Sequence, residues 1–237
     1  MQHLSAHPYL HVTLIDQHPF HYLQTEAYSF IAQQASLTDV TVDLPALCQS
    51  YENVTFVKAQ VHGVDFERKR VRTDTEEYAY DYIVLAMGSR TYFPESVPGL
   101  HDYAHGVKSL ERAFEFRQQF EQELYARMDC EMDEPCRRFC VVVAGAGLSG
   151  VEIAAEMADY SRRFLRRNRM MCEGIDIRLI ASHGEVLAGM HPYLKRSAAR
   201  RLEALGVTVM YDNRVSAVEP NRTVLSSGET VDFDFMI

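Results

Sequence analysis

This chain of 237 residues has no apolar run approaching the roughly 20 residues that a helix needs to cross a bilayer. Its first residues, Met1-Gln2-His3-Leu4-Ser5-Ala6-His7, have neither a basic region nor an apolar core, which excludes a secretory signal there. Positive charge is in deficit. The 24 Lys and Arg stand against 33 Asp and Glu, giving a net charge of −9, which argues against a nucleic-acid binder. Cysteine is sparse, and Cys48, Cys130, Cys136, Cys140 and Cys172 form no C-x-x-C pair. Their odd number and scatter suit free thiols in a reducing cytoplasm. No low-complexity segment is present, and the rest of the composition is that of a globular α/β chain.

The most informative segment is a strand, a glycine loop and a helix in direct succession. Val141-Val142-Val143-Ala144 leads into Gly145-Ala146-Gly147-Leu148-Ser149-Gly150 and then Val151-Glu152-Ile153-Ala154-Ala155-Glu156. A hydrophobic run, G-x-G-x-x-G and good helix formers together are the context that gives this motif its meaning as a dinucleotide site. Gly145 is expected to permit the tight turn, Gly147 to let the backbone approach a pyrophosphate, and Gly150 to let helix and strand pack closely. The phosphates would rest on the N–H groups of the helix start, with Leu148 and Ser149 between the glycines.

Around this motif, strand-like and helical segments alternate. His11 to Asp16 reads as a strand ending in an acid, Ser29 to Gln34 and Leu44 to Ser50 as short helices, and Val54 to Val61 and Arg70 to Thr73 as β-rich runs. Tyr82 to Ala86 is nearly continuously apolar and predicts a central strand buried on both faces. Ser109 to Met128 predicts a long amphipathic helix with Leu110, Phe114, Phe120 and Leu124 inward. Beyond the glycine loop the pattern predicts a helix to about Arg167, a strand over Ile175–Ala181, and a helix over Tyr193–Leu205 closed by Gly206. A strand over Val207–Tyr211 and shorter β segments at 214–218, 223–225 and 231–237 follow. Such alternation implies parallel, doubly wound sheets. Two Rossmann-like dinucleotide-binding domains are expected: 1–128 with its trailing helix, a charged linker at 129–138, and 139–237.

Both domains read as incomplete. Asp16 stands where an acid holds a ribose hydroxyl, yet the ten residues before the first strand contain no glycine and cannot supply a strand, loop and helix. Leu4 to Ala6 would be the tail of that helix. At the other end, Phe233 to Ile237 stops inside an apolar strand, so the expectation is a fragment cut at both ends.

These segments resemble the FAD- and NAD(P)-dependent pyridine nucleotide oxidoreductases with two dinucleotide-binding domains, and most of all the type II NADH:quinone oxidoreductases. Val12 to His21 resembles the segment after the family's first glycine loop. Tyr80 to Ser89 resembles the strand closing the first half of the flavin domain, with Met87 where the family has threonine. Gly145 to Glu152 resembles the second loop, and Leu202 to Val207 the helix-to-strand turn after it. The resemblance implies that Asp16 binds the adenosine ribose of FAD, that Val61 contacts the adenine, and that Ala86, Met87 and Gly88 pass close to the flavin nucleotide. It places Gln24 and Thr25 near the isoalloxazine edge. Gly145, Gly147 and Gly150 would hold the NADH pyrophosphate, and Glu152 would position a polar group or deliver a proton. A first-turn acid favoured by the helix dipole is the other reading of Glu152.

The implied activity is hydride transfer from NADH to FAD and then electron transfer to a quinone. The parent enzyme would be cytoplasmic, peripheral on the inner face of the cell membrane, and compatible with a homodimer. A sulfide:quinone, disulfide or ferredoxin reductase remains an alternative, as does a non-catalytic NAD(H)-binding fragment that is incomplete for FAD. One departure bears on the nucleotide. The second-domain strand ends in Ile180-Ala181-Ser182-His183, so Ala181 stands where an acid would bind the NAD ribose. No obvious arginine follows for a 2′-phosphate, and Glu185 lies slightly far along. NADH is the default and NADP(H) stays open.

Three clusters favour ordinary readings. Cys130, Cys136 and Cys140 lack metal-ligand spacing, and no metal site is expected. His3, His7 and His11 recur every four residues, but Pro8 disfavours helix at His7. Arg162, Arg163, Arg166, Arg167 and Arg169 suit a helix C-terminus, with contact to anionic lipid as the alternative.

Overall fold

The structure is a computed structural model that describes residues 3, 7–126, 138–168 and 174–237. Along the chain run β1 (Val12–Asp16), β2 (Phe20–Tyr22), α1 (Ala27–Ile31), β3 (Thr41–Asp43), α2 (Leu44–Gln49), β4 (Val54–Lys58), β5 (Val61–Asp65), β6 (Arg70–Thr73), β7 (Glu77–Ala79), α3 (Leu100–Tyr103) and α4 (Leu110–Ala126). Then follow β8 (Phe139–Ala144), α5 (Leu148–Asn168), β9 (Ile175–Ile180), α6 (Pro192–Ala204), β10 (Thr208–Met210), β11 (Val215–Glu219), β12 (Arg222–Leu225), β13 (Thr230–Asp232) and β14 (Phe235–Met236). The chain forms two compact units, one of residues 1–23 and 37–89, the other of residues 24–36 and 90–237. The expected helix tail at Leu4–Ala6 and all of the expected linker but Arg138 lie outside the described residues.

In the first unit β1 and β4 run parallel, from Val12 opposite Val54 to Asp16 opposite Lys58. β2 pairs antiparallel with β3, and β5, β6 and β7 form an antiparallel meander. Asp43 caps α2 by accepting from the Ala46 N–H at 2.7 Å, and a proline stands in the helix's first turn, where the missing donor costs nothing. The predicted strand at Tyr82–Ala86 does not form. Those residues belong to no sheet among the described residues, and Tyr82, Val84 and Leu85 are exposed. Apolar content favours burial, but a strand exists only where a neighbour accepts its backbone hydrogen bonds. β4 is the partner of β1 in its sheet, and no strand brings residues 82–86 into it.

The second unit is built on a four-stranded parallel sheet in the order β10-β9-β8-β14. Central position explains β8: Phe139 to Val143 are all buried, as a strand covered on both faces requires. On one face, Phe139 and Phe235 stack at 5.8 Å between ring centroids and meet Phe120 edge-on. Phe120 in turn stacks on Phe116 of the same helix. On the other face, Cys140, Val142, Ile180 and Met236 pack against Val218, Leu225 and Val231 of the antiparallel sheet β11-β12-β13. The inward residues of α4 are Ala113, Phe116, Phe120 and Leu124, spaced at three and four, whereas the expected Phe114 is 46% exposed. Two residues along a helix turn the side chain by about 200°, so Phe114 and Phe116 cannot share a face. The apolar 231–237 segment divides: β13 pairs with β12, then Asp234 turns the chain and β14 joins β8. Asp234 fixes that turn by accepting from the Cys140 N–H at 2.8 Å while its own N–H donates to the Cys140 carbonyl.

Candidate nucleotide site

The glycine loop lies between the end of β8 and the start of α5, where a parallel sheet offers its ligand crevice. Gly145 has φ +108°, a conformation that side chains rarely adopt, and its N–H donates to the Ile180 carbonyl at 3.0 Å. That bond ties the loop to the end of β9. Gly150 is required for a different reason. A β-carbon there would stand 1.7 Å from the carbonyl oxygen of Gly145. Gly147 has neither constraint: its φ is not positive, and a β-carbon would meet nothing within 4 Å. The fold therefore accounts for two of the three glycines, and the space beside Gly147 is open. Val151 closes the first helical turn by donating to the Gly147 carbonyl, while first-turn N–H groups such as those of Leu148 and Ser149 have no partner within a helix.

Glu152 stands just past the first turn of α5, which holds no acidic residue, so it is not the first-turn acid that the helix dipole would favour. Although much of its side chain reaches solvent, burial of the rest and then the nearby Glu26 raise its carboxyl above the usual range. One turn on, Glu156 is raised by burial and then by Asp159, and it accepts a hydrogen bond from Gln34. α5 thus presents two carboxyls that hold their protons more tightly than free ones.

Ala181 is fully buried. Its N–H donates to the Met210 carbonyl at 2.9 Å and its carbonyl accepts from Asn213 at 3.0 Å. The segment after it returns to the glycine loop, because the Leu187 N–H donates to the Ala146 carbonyl at 2.8 Å. Next to this segment is a cavity of about 300 Å³ whose lining includes Glu185, Lys195, Arg196 and Tyr211. Lys195 Nζ donates to both Glu185 oxygens, at 2.9 and 2.7 Å. The sequence reading did not single out Lys195 and Arg196. The signal available was their position in the opening two turns of the helix that Pro192 begins, next to the Gly184–Val186 loop in the cavity lining.

The other expected contacts are separately placed. Asp16 ends β1, and its Oδ1 accepts from the His18 N–H at 2.9 Å, so one oxygen already closes a turn. Ala59 donates to the Asp16 carbonyl, which brings the exposed Val61, at the start of β5, close in the chain to that strand end. Ala86, Met87 and Gly88 lie on exposed chain outside any sheet, with Gly88 at φ +70°. Gln24, in the second unit, donates to the Lys108 carbonyl at 2.9 Å, and Thr25 beside it is exposed. The structure therefore brings together Gly145, Gly147, Leu148, Ser149, Gly150, Glu152 and the backbone leading to Ala181.

Two of the arginines near the end of α5 bond to other parts of the fold. Arg162 donates to the Ala204 carbonyl at 2.8 Å, at the C-terminal end of α6. Arg163 reaches Asp159 and the Ala32 carbonyl, each at 2.9 Å. Arg169 lies outside the described residues. Cys48 is a buried free thiol, and Cys140 is buried in β8. No three His, Cys, Asp or Glu of the described residues are grouped to hold a metal ion, and no described helix is long and apolar enough to cross a membrane.

A family model described as "Pyridine nucleotide-disulphide oxidoreductase" matches residues 1–237. The demethylphylloquinone reductase NdbB of a Synechocystis strain is 27% identical over 226 residues, covering 93% of this chain and 51% of that protein. The type II NADH:quinone oxidoreductase of Staphylococcus saprophyticus is 25% identical over 198 residues, covering 83% of this chain and 48% of that protein. The structure of NDH2 from Plasmodium falciparum in complex with NADH superposes with a TM-score of 0.82 at 19% identity, over 96% of this chain and 49% of that one. The chain spans about half the length of the curated relatives it matches.

Proposed function

Because this chain belongs to the pyridine nucleotide-disulphide oxidoreductase family, we propose that it serves a flavoprotein that takes a hydride from NADH and passes the electrons to a quinone. The observation that carries the nucleotide half of this reading is Gly147: the loop keeps a glycine where neither conformation nor neighbours demand one. A pyrophosphate on the α5 N-terminus would use that space, held by backbone N–H groups and the positive end of the helix dipole. The quinone half draws on the relatives, two of which carry a quinone or phylloquinone reductase name.

FAD would supply the hydride acceptor when bound. Among the residues present, the second carboxylate oxygen of Asp16 and the exposed Val61 are the groups that suit its adenosine end. Ala86, Met87 and Gly88 are proposed to meet the flavin nucleotide, and Gln24 and Thr25 the flavin edge. The proposed domains are 1–128 for the flavin and 139–237 for the nicotinamide nucleotide. Glu152 is the proposed polar or proton-delivering group, and the partial burial that raises its proton affinity is in keeping with that role. A quinone substrate puts the work at a membrane surface, so peripheral attachment at the inner face of the cell membrane and a homodimeric state are proposed with it.

The test is oxidation of NADH by the purified protein with FAD and a water-soluble quinone added, followed by the loss of nicotinamide absorbance. Quinone-dependent oxidation that falls with Glu152→Gln is the expected result. Binding of NADH without quinone-dependent turnover would contradict the quinone reading alone.

A further inference from the structure

At the end of the second strand of a dinucleotide-binding unit, an acid selects the free 2′-hydroxyl of NADH, and a cation there accepts the 2′-phosphate of NADPH. In this chain that position is the buried Ala181, which removes the carboxylate that would repel a phosphate. The next charged groups along this edge line the cavity between the Gly184–Val186 loop and the first turns of α6. The loop is anchored to the glycine turn through the Leu187 bond to the Ala146 carbonyl, so the cavity belongs to the same nucleotide-binding edge.

The charges in this lining are unequal. Lys195 and Glu185 neutralise one another through two short hydrogen bonds. Arg196 has no ion pair among the described residues, so it is the uncompensated charge of the lining. Asp212 stands beside Gly184 but is not part of the lining. A guanidinium binds a phosphate through two parallel hydrogen bonds, and Lys195 can turn from Glu185 to share the added negative charge.

We propose that this cavity receives the 2′-phosphate of NADPH, with Arg196 and Lys195 as its contacts, so that the site takes NADPH at least as readily as NADH. The proposal rests on the reading of the Gly145–Gly150 loop as a dinucleotide site, and its test separates the two. The 237-residue chain is titrated calorimetrically with ADP-ribose and with 2′-phospho-ADP-ribose. The expected result is binding of both, with the 2′-phosphorylated ligand equal or tighter. Arg196→Ala, an exposed helix-surface change, is expected to weaken 2′-phospho-ADP-ribose about tenfold or more and ADP-ribose by no more than about threefold, as loss of a charge-assisted contact requires. Arg196→Lys should recover part of the loss. Tenfold weaker binding of the phosphorylated ligand by the unaltered chain, or no effect of Arg196→Ala, would overturn the proposal and leave the dinucleotide site standing. Binding of neither ligand would overturn both.

Discussion

Gly150 sits against the carbonyl of Gly145 so closely that a β-carbon at position 150 would lie 1.7 Å from that oxygen. The turn that Gly145 makes at φ +108° and the first turn of α5 are therefore one object, closed on itself. The obstacle is backbone, which cannot swing aside as a side chain can. Gly150→Ala should destabilise the chain by about 3 kcal/mol or more, at or beyond the upper end of ordinary overpacking. A chemical-denaturation curve measures this, and a loss under about 1 kcal/mol would show that the loop yields.

Phe120 carries the contact between α4 and the sheet. It is fully buried and meets Phe116, Phe139, Tyr160 and Phe235. Phe120→Ala should cost about 3–5 kcal/mol through lost burial and the cavity left behind. Phe114→Ala on the same helix should cost within about 0.5 kcal/mol, as exposed positions do. Comparable losses at both positions would contradict the assigned inward face.

Glu152 is raised by burial and by Glu26, and this fixes a sign. Its folded titration point lies above the unfolded one, so between them the folded chain holds more protons. Its contribution to stability therefore falls as pH rises through that window. Above the window the penalty on the charged form is complete; below the unfolded value it is gone. Glu152→Gln should thus be more stable than the unaltered protein at neutral pH, and the gap should close as the solution is acidified below the ordinary carboxylate range. Thermal melts across pH measure the gap, and a variant that is less stable at neutral pH would contradict the assignment.

Local segments whose pattern and packing agree were legible in the sequence. Val12–Asp16, Arg70–Thr73 and the helix from Leu148 follow from alternation, apolar run and loop chemistry alone. Elements that depend on a distant partner were not. Tyr82–Ala86 has the composition of a buried strand, yet composition does not supply the neighbour that a strand must bond to. The split between β13 and β14 is decided by Asp234 reaching Cys140, a contact across 94 residues of chain. Phe114 and Phe116 differ only in phase, which a charged, aromatic-rich helix leaves weakly marked. At the site, the glycine spacing was readable, but the cavity of Glu185, Lys195 and Arg196 needed α6 to be folded over its loop.

The central claim is that the Gly145–Gly150 loop holds a dinucleotide pyrophosphate, and Gly147→Ala tests it most directly. The new methyl meets nothing in the fold, so the thermal midpoint should stay within about 2 °C of the unaltered protein. It occupies the space assigned to the pyrophosphate, so NADH binding, measured by calorimetry or by quenching of nicotinamide fluorescence, should weaken about tenfold or more. A variant that keeps its midpoint and binds NADH as tightly as before would contradict the claim.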